Sequence, residues 1–218
     1  MHSMDEAWLR QQIIDTALAM SGEGLSPGTS GNVSARWKEG MLITPTGMAY
    51  DDLIPEDIVF LEKNGEPLPG ARKPSSEWRF HLSAYGARKD AGAVVHTHSR
   101  FATALACARK PIPAFHYMVA VAGGEDIPLA DYATFGTREL ADNVAATLKD
   151  RSACLMANHG QIACGATLEA ALALAREVEA LAAQYVAVCQ LGEPHILDGE
   201  EMSRVLKRFE SYGQRDGG

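Results

Sequence analysis

Short apolar segments of strand character are interspersed with helical segments along this chain, without the strict strand–helix–strand alternation of a parallel sheet. Strands are predicted at 32–37, 41–44, 58–61, 93–98 and 154–157. Helices are predicted at 5–20, from 77 onwards, at 101–109, at 137–149, from 168 onwards and at 200–209, with Thr137 and Thr167 as the N-caps of the fourth and fifth. We find no linker, repeat or low-complexity stretch that would divide the chain. The order predicts one domain, residues 1–218, with a mixed or antiparallel sheet covered by helices.

The charge and hydropathy of the chain argue against several classes of partner. Lys and Arg number 20 against 28 Asp and Glu, a formal net charge of −8, whereas nucleic acids and anionic membranes bind a basic face. A phosphate-bearing ligand would therefore be held locally, by dipoles, a metal or a few cations. The longest apolar runs, Tyr117–Ala122 and Ala170–Ala175, are far shorter than the ~20 residues of a transmembrane helix.

Cysteine spacing and the first residues bear on the cellular compartment. The four cysteines form no CxxC pair, which favours reduced thiols over a disulfide framework in a chain of this size. Met1–Met4 is followed directly by Asp5 and Glu6, so we expect no apolar signal segment. Together these features predict a cytoplasmic protein.

The pattern His96-x-His98, at the end of an apolar strand, is the most informative one for chemistry. Side chains at i and i+2 of a strand point to the same face, so the two imidazoles can converge on one metal ion. His159, which follows a second apolar strand, is the natural third ligand. Three imidazoles suit zinc, or another borderline divalent ion, with one coordination position left open. The alternative is a pair of hydrogen-bonded core histidines and a structural loop histidine.

Glu77 is the second candidate for chemistry. It follows Ser75 and Ser76, which are predicted to cap a helix with Glu77 in its first turn. There the carboxylate could simply compensate the helix dipole. Beside a metal it could instead fill the open position at rest and become a general base when substrate displaces it. His81, one turn further along the same face, is assigned to packing or hydrogen bonding.

Three polar clusters could together form an anion site. They are 28–32 (GTSGN), Thr46-Gly47 and Ser75-Ser76. Loop amides, hydroxyls and a helix N-terminus can bind a phosphate dianion without any lysine, which fits a chain that is acidic overall. Each cluster alone is also explained by ordinary turn and cap chemistry.

Several blocks of sequence, in this order, are typical of one family. They are GTSGNVS (28–34), MLITPTG (41–47), PSSEWRFH (74–81), AVVHTH (93–98), PAFHYM (113–118), YATFGTREL (132–140), NHGQIACG (158–165) and EVEALA (177–182). Over about residues 10–212 the chain resembles the class II aldolase/adducin family, and within it the bacterial L-fuculose-1-phosphate aldolases. The resemblance implies a three-layer α/β/α sandwich around a mostly antiparallel sheet, and a homotetramer with active sites at subunit interfaces.

The resemblance also implies roles for individual residues. It implies a zinc ion held by His96, His98 and His159, with Glu77 as displaceable ligand and base. A phosphate pocket would comprise Thr29, Asn32, Gly47, Ser75 and Ser76. Tyr117 would protonate the departing aldehyde oxygen from a neighbouring subunit, although by composition alone it is expected to be a core aromatic residue. Phe135 and Tyr212 would belong to the aldehyde pocket and to its closing arm, about residues 200–218.

The implied reaction is zinc-dependent retro-aldol cleavage of a ketose 1-phosphate, such as L-fuculose 1-phosphate, by an aldehyde-lyase of carbohydrate metabolism. The products would be dihydroxyacetone phosphate and a short aldehyde such as lactaldehyde. A metal ion can stabilise the developing enediolate charge as a Lewis acid, so no Schiff-base lysine is needed. The sequence contains no lysine in a plainly apolar segment.

Other members of the family leave alternatives open. An aldolase for 5-deoxyribulose 1-phosphate or its methylthio analogue, in nucleoside by-product salvage, would differ only in the aldehyde half. Sugar-phosphate 4-epimerases typically have aspartate at the position of Glu77, and methylthioribulose-1-phosphate dehydratases form a more distant branch. A non-enzymatic adducin-like module would have lost metal ligands, whereas every ligand position is filled here.

Overall fold

The computed structural model describes residues 5–209. Its helices are α1 (Glu6–Gly22), α2 (Trp78–Ala87), α3 (Arg100–Cys107), α4 (Arg138–Leu148), α5 (Leu168–Leu191) and α6 (Gly199–Phe209). Its strands are β1 (Asn32–Trp37), β2 (Gly40–Ile43), β3 (Val59–Leu61), β4 (Ala93–Thr97), β5 (Leu129–Ala130), β6 (Ala153–Met156) and β7 (Gly160–Gly165). Short 3₁₀ turns lie at Tyr50–Asp52, Pro55–Asp57 and Tyr117–Ala122. None of the helices in this part of the chain is long and apolar enough to cross a membrane.

The strands form one sheet in the order β3-β2-β1-β4-β7-β6-β5. Every neighbouring pair is antiparallel except β5 and β6, which run parallel. The expectation of a mostly antiparallel sheet is therefore confirmed. Strand β4 lies at the centre, between β1 and β7, and its five residues are all buried.

Helices cover both faces of the sheet, which gives the three layers that the family resemblance implies. On one face α1, α3 and α5 pack in a core that contains Ala93 and Val95 of β4. On the other face α2 and α4 pack in a core that contains Val94. This separation follows from the alternation of side chains along a strand. His96 is two residues after Val94 and so points to the face covered by α2.

Two strands and one helix start differ from the sequence expectations. The prediction omits β7, a central strand bounded by Gly160 and Gly165, and the two-residue strand β5. The expected hydroxyl capping of α2 is wrong: Glu77 occupies the N-cap position with φ −102° and ψ 10°, and no side chain caps the helix. Ser75 Oγ instead accepts a hydrogen bond from the Glu77 backbone N–H at 3.3 Å. Glu77 thus lies just before the first turn, with its carboxylate free to face the histidines.

Candidate active site

Three separate parts of the chain bring the candidate metal ligands together. His96 lies in β4, opposite Asn32 of β1 and Ile162 of β7. His98 follows the end of β4, and His159 lies in the tight turn between β6 and β7. Gly160 allows this arrangement, because a Cβ there would lie 2.9 Å from His98 Cδ2 and closer still to the Thr97 carbonyl oxygen. Glu77 reaches the same point from the start of α2.

The four side chains are close enough to share one ion. One ligand atom from each of Glu77, His96, His98 and His159 lies within 4.8 Å of all the others. Glu77 Oε2 is 3.2 Å from His96 Nε2, and Glu77 Oε1 is 2.8 Å from His159 Nε2. His96 Nε2 is 3.0 Å from His98 Nε2. Nitrogen and carboxylate ligands of this kind suit zinc and similar divalent ions.

The hydrogen bonds around these ligands fit a cation between them. His96 Nδ1 is 2.8 Å from the Gln161 carbonyl oxygen, which can only accept, so Nδ1 carries a proton and Nε2 is the nitrogen that can ligate a metal. That nitrogen faces the carboxylate and His98 Nε2, so atoms that accept hydrogen bonds or ligate metals crowd one point. Glu77 Oε1 is buried and, although His159 Nε2 lies 2.8 Å away, accepts no hydrogen bond of acceptable geometry from the described residues. A divalent cation would satisfy all of these atoms.

The pKa values of His98 and Glu77 are both shifted in the direction that leaves these side chains able to bind a metal at neutral pH. Burial, together with the neighbouring His96 and His159 rings, lowers the pKa of His98 to about 4, so its nitrogen lone pair is available. Burial alone would raise the pKa of Glu77, but the His96 and His159 rings outweigh burial and hold that pKa well below its ordinary value. Asn32 Nδ2 also donates to Glu77 Oε2 at 2.9 Å. The resting carboxylate is therefore anionic.

A pocket of about 490 Å³ opens above these ligands. Most of its lining comes from the three polar clusters and from the ligands themselves. The lining residues are Thr29, Ser30, Gly31, Asn32, Pro45, Thr46, Gly47, Ser75, Ser76, Glu77, His98, Tyr132, Ala133, Phe135, Asn158 and His159. Lys and Arg do not occur among these lining residues, so an anion would meet hydroxyls, amides and the start of α2 rather than a cationic side chain.

The expected site residues divide into three groups. Those expected to bind phosphate line the pocket together, and Phe135, which is 64% exposed, stands at its edge. Tyr117 is not among the lining residues; it lies in the 3₁₀ segment Tyr117–Ala122 with 51% of its surface exposed, so the core-aromatic interpretation is wrong. Helix α6 packs on this segment. Tyr212 lies outside the described residues.

Sequence reasoning assigned no role to three residues that the structure brings to the site. Tyr132 and Asn158 line the pocket, and Gln161 orients His96. Asn158 adopts a left-handed conformation (φ 54°) immediately before His159, which Asn tolerates better than most residues. The pattern Asn158-His159-Gly160 could have indicated such a turn. A backbone carbonyl contact such as that of Gln161 has no sequence signal.

Comparison with known proteins identifies the family. The family described as "Class II Aldolase and Adducin N-terminal domain" matches residues 11–186. The chain belongs to this family. A solved structure of an L-fuculose 1-phosphate aldolase has a TM-score of 0.89 and 42% sequence identity to this member, and the match covers 96% of this chain and 98% of that one. The class II aldolase fold is thus confirmed.

Relatives of this class II aldolase/adducin protein include enzymes of two named specificities. A 5-methylthioribulose-1-phosphate/5-deoxyribulose-1-phosphate aldolase from Rhodospirillum rubrum is 55% identical over 205 residues, covering 94% of this chain and 92% of the relative. An L-fuculose phosphate aldolase from Escherichia coli strain CFT073 is 53% identical over 213 residues, covering 97% and 99%. The chain is accordingly a class II aldolase, a lyase, and enzymes of this class use a divalent metal.

Proposed function

We propose that this aldolase cleaves an L-fuculose 1-phosphate-like ketose 1-phosphate to dihydroxyacetone phosphate and a short aldehyde such as lactaldehyde, with zinc as its metal. The observation that carries the proposal is the Glu77–His₃ group at the floor of a pocket lined by neutral polar groups. The full-length similarity to an L-fuculose phosphate aldolase supports this substrate class.

The metal would be held by His96, His98 and His159, with Glu77 as a displaceable fourth ligand. When bound, the divalent ion supplies Lewis-acid stabilisation of the negative charge that develops on substrate oxygens as the carbon–carbon bond breaks. His96 lies in the central strand β4, His98 directly follows that strand, and His159 lies in the turn before β7. The His96 ring is also oriented by a hydrogen bond to the Gln161 carbonyl oxygen, which favours a fixed ligand geometry.

Glu77 is proposed as the general base. Its carboxylate is 5% exposed and anionic, and it can exchange a position among the histidines for contact with substrate. Proton transfer requires a positioned side chain within hydrogen-bond reach of the reacting atom, and Glu77 lines the pocket directly. It would move the proton on the carbon atom that becomes nucleophilic after cleavage.

Substrate phosphate is proposed to bind Thr29, Asn32, Gly47, Ser75 and Ser76. These residues all line the pocket, and Ser75 and Ser76 directly precede the N-cap residue of α2. Phosphate binding there supplies positioning energy remote from the bond that breaks. Tyr132 and Phe135, which also line the pocket, offer aromatic surface for the aldehyde half.

The departing aldehyde oxygen needs a proton donor, the role that the family resemblance implies for Tyr117. Tyr117, half exposed and away from its own pocket, is proposed to reach the site of a neighbouring subunit in a homotetramer. The end of the chain, with Tyr212, is proposed as the arm that closes the site. We also propose a cytoplasmic location.

A second substrate is favoured by a specific observation. The Rhodospirillum rubrum relative, named for 5-methylthioribulose 1-phosphate and 5-deoxyribulose 1-phosphate, is as similar as the L-fuculose phosphate aldolase. Such substrates share the phosphate-bearing half and differ in the aldehyde half, which would pack against Tyr132 and Phe135.

A cleavage assay over a panel of ketose 1-phosphates tests the proposal. Fuculose, rhamnulose, ribulose, 5-deoxyribulose and 5-methylthioribulose 1-phosphates are incubated with the zinc-loaded enzyme, and dihydroxyacetone phosphate is detected by a coupled assay. The highest kcat/KM is expected for fuculose 1-phosphate; a maximum at 5-deoxyribulose or 5-methylthioribulose 1-phosphate would select the second substrate. Absence of dihydroxyacetone phosphate from every substrate would overturn the lyase proposal.

The metal assignment is tested by His96→Ala, with His195→Ala as the matched control. His96 is fully buried among the ligands, whereas His195 lies exposed between α5 and α6. The His96 variant is expected to lose its zinc on gel filtration and its activity, and the His195 variant to keep both. Equal zinc content in the two variants, measured by atomic absorption, would contradict the ligand set.

A further inference from the structure

A chain of buried polar side chains extends from Glu77 into the protein, away from the pocket. Asn32 Nδ2 donates to Glu77 Oε2 at 2.9 Å, and Asn32 Oδ1 is 2.6 Å from His81 Nε2. His81 Nδ1 is 2.7 Å from Ser34 Oγ, which is 2.8 Å from the Tyr85 hydroxyl. All five side chains are buried, His81 and Ser34 completely. The proposed function uses only the first two of them.

The Glu77 carboxylate, at one end of this series of side chains, determines which group donates and which accepts in each hydrogen bond. A carboxylate only accepts, so the amide nitrogen of Asn32 faces Glu77 and its oxygen faces His81. That oxygen also only accepts, so His81 carries its proton on Nε2. Burial lowers the pKa of His81 to about 3, so the ring is neutral and its Nδ1 accepts from the Ser34 hydroxyl. Ser34 in turn accepts from Tyr85.

We propose that His81 is a positioning residue that locks the Asn32 amide with its N–H side toward Glu77 and the pocket. One N–H then holds Glu77 Oε2, and the second is available to a substrate oxygen. A flipped amide would place its oxygen against the anionic Glu77 carboxylate, where two acceptors repel. The consequence for turnover rests on the proposed function; the orientation itself does not.

The chain of contacts serves orientation rather than proton transfer. Asn32 stands between Glu77 and His81, and an amide cannot pass a proton without converting to its unstable imidic form. Hydrogen bonds that orient the groups around metal sites commonly affect activity tenfold to a hundredfold. His81 therefore acts on the site through Asn32 alone, at the opposite end of that side chain from the substrate.

The orientation is tested first in the wild-type protein. Nitrogen-15 NMR of labelled histidine side chains distinguishes the two neutral tautomers from the imidazolium form, and the spectrum of His81→Gln identifies the His81 signals. At neutral pH we expect His81 to be neutral with its proton on Nε2. A proton on Nδ1, or a charged ring, would overturn the proposal whether or not the protein cleaves any sugar phosphate.

The effect on turnover is tested with a pair of variants. His81→Leu removes the donor to Asn32, whereas Gln in the same place can still donate from Nε2. We expect kcat to fall about tenfold to a hundredfold in His81→Leu, with zinc content near that of the wild type, and His81→Gln to recover most of kcat. Unchanged kcat in a folded His81→Leu, or no recovery in a folded His81→Gln, would overturn the proposed role.

Ser34→Ala and Tyr85→Phe leave His81 in place and test which groups donate in the hydrogen bonds beyond it. Ser34→Ala removes the hydroxyl that donates to Nδ1, whereas the Asn32 oxygen still accepts from Nε2, so the proton should stay on Nε2 and the Nδ1 signal should shift because it has lost its hydrogen bond. Tyr85→Phe leaves Ser34 able to donate to His81, so the tautomer should stay as in the wild type. A proton on Nδ1 in either variant, or an Nδ1 signal that is unchanged in Ser34→Ala, would contradict the inferred hydrogen-bond directions. If the NMR results hold while no substrate is cleaved, the proposed function fails and the orientation of Asn32 stands.

Discussion

At the residue scale, Glu77 is placed to act both as a ligand and as a base. It occupies the N-cap position of α2 but caps nothing with its side chain, so both carboxylate oxygens face histidine nitrogens. Asn32 Nδ2 donates a hydrogen bond to one of these oxygens, Oε2. Because the neighbouring rings keep its pKa well below the ordinary value, Glu77 is ionised over the whole range in which the protein is expected to work.

Glu77→Gln separates the two roles of this residue. The amide retains the shape of the side chain and can still contact the metal weakly, while the three histidines remain. We expect zinc content close to that of the wild type and a loss of kcat of about 10²-fold or more, because general-base catalysis contributes 10²–10⁴-fold. Zinc analysis and initial rates on one preparation provide the measurement. Turnover equal to that of the wild type would remove Glu77 from the role of base.

His81 should make the stability of the protein depend on pH in a specific direction. Burial and the nearby His96 ring lower the pKa of His81 to about 3, although the Glu77 carboxylate acts in the opposite sense. Its direct partners Asn32 and Ser34 are uncharged. In the unfolded chain the pKa returns to ~6.5. The unfolded state therefore binds more protons than the native state below that pH, and stability is lost as the pH falls.

The comparison of wild type with His81→Gln isolates this effect. Between pH 7.5 and 5.5 the wild type should lose about 1.4 kcal/mol more free energy of unfolding than the variant, which lacks the titrating ring. Urea denaturation of both proteins, stripped of metal by a chelator, measures the difference. Equal losses in the two proteins would mean that His81 is protonated in the native state.

Residue patterns predicted part of the site, and the physical reason is local geometry. His96-x-His98 could be interpreted because alternation along a strand brings both rings to one face. The hydrogen-bond partners of the buried histidines could not be predicted. His96 is held by the backbone carbonyl of Gln161, and His81 is held by Ser34, which lies 47 positions away in the sequence. Contacts of this kind depend on the three-dimensional fold and leave no spacing to detect. The assigned roles of the site residues stay predictions.

At the scale of elements, Gly160, the first residue of β7, allows the turn before this strand to approach His98 closely. In Gly160→Ala the new Cβ would meet the Thr97 carbonyl oxygen and the His98 ring. We expect the free energy of unfolding to fall by about 1–3 kcal/mol, and zinc affinity to weaken because the ring must move. Denaturation curves and a competitive zinc titration measure the two effects.

Gly86→Ala is the control for this substitution. Gly86 is exposed in α2, and a Cβ there would meet nothing within 4 Å. Alanine in an exposed helical position should raise the free energy of unfolding by about 0.5–1 kcal/mol. Zinc affinity should equal that of the wild type. If Gly160→Ala kept full zinc affinity as well, the close approach would not matter for the site.

Strand and helix predictions succeeded where the signal was local and failed where it was not. Thr137 and Thr167 cap α4 and α5 through their side chains, as their positions before apolar stripes predict. Strand β7 was missed, although it lies beside β4, because glycines at its ends interrupt the apolar pattern. The start of α3 depends on Glu179 of α5, which accepts from the Phe101 and Ala102 backbone N–H groups. A partner so far along the chain cannot be found by looking for a neighbouring cap.

At the scale of the whole molecule, the proposed tetramer can be tested by mixing inactive variants. If Glu77 and Tyr117 of one active site come from different subunits, Glu77→Gln and Tyr117→Phe tetramers should complement each other. Unfolding and refolding an equal mixture should give about a quarter of sites with both groups intact. Recovered activity near a quarter of the wild-type value, in a tetramer by light scattering, is the expected result.

Each variant refolded alone is the control and should stay nearly inactive. A mixture no more active than the two separate variants would contradict the shared site. A monomer by light scattering would do the same. Complementation does not depend on which ketose 1-phosphate is used, provided that the wild-type enzyme cleaves it.

Two hydrogen bonds orient residues of the site, one from His96 to the carbonyl of Gln161 and one from His81 to Asn32. They differ in how sensitive they are to mutation. His96 is oriented by the carbonyl of position 161, and every amino acid supplies a carbonyl. Substitution of the Gln161 side chain can therefore leave that support in place, provided that β7 keeps its path. Asn32 relies on a side-chain donor at position 81, so a codon change to a residue without such a donor removes its support. During divergence of related enzymes, the histidine support is thus mutationally robust, whereas the amide support is a point at which activity can be lost or retuned.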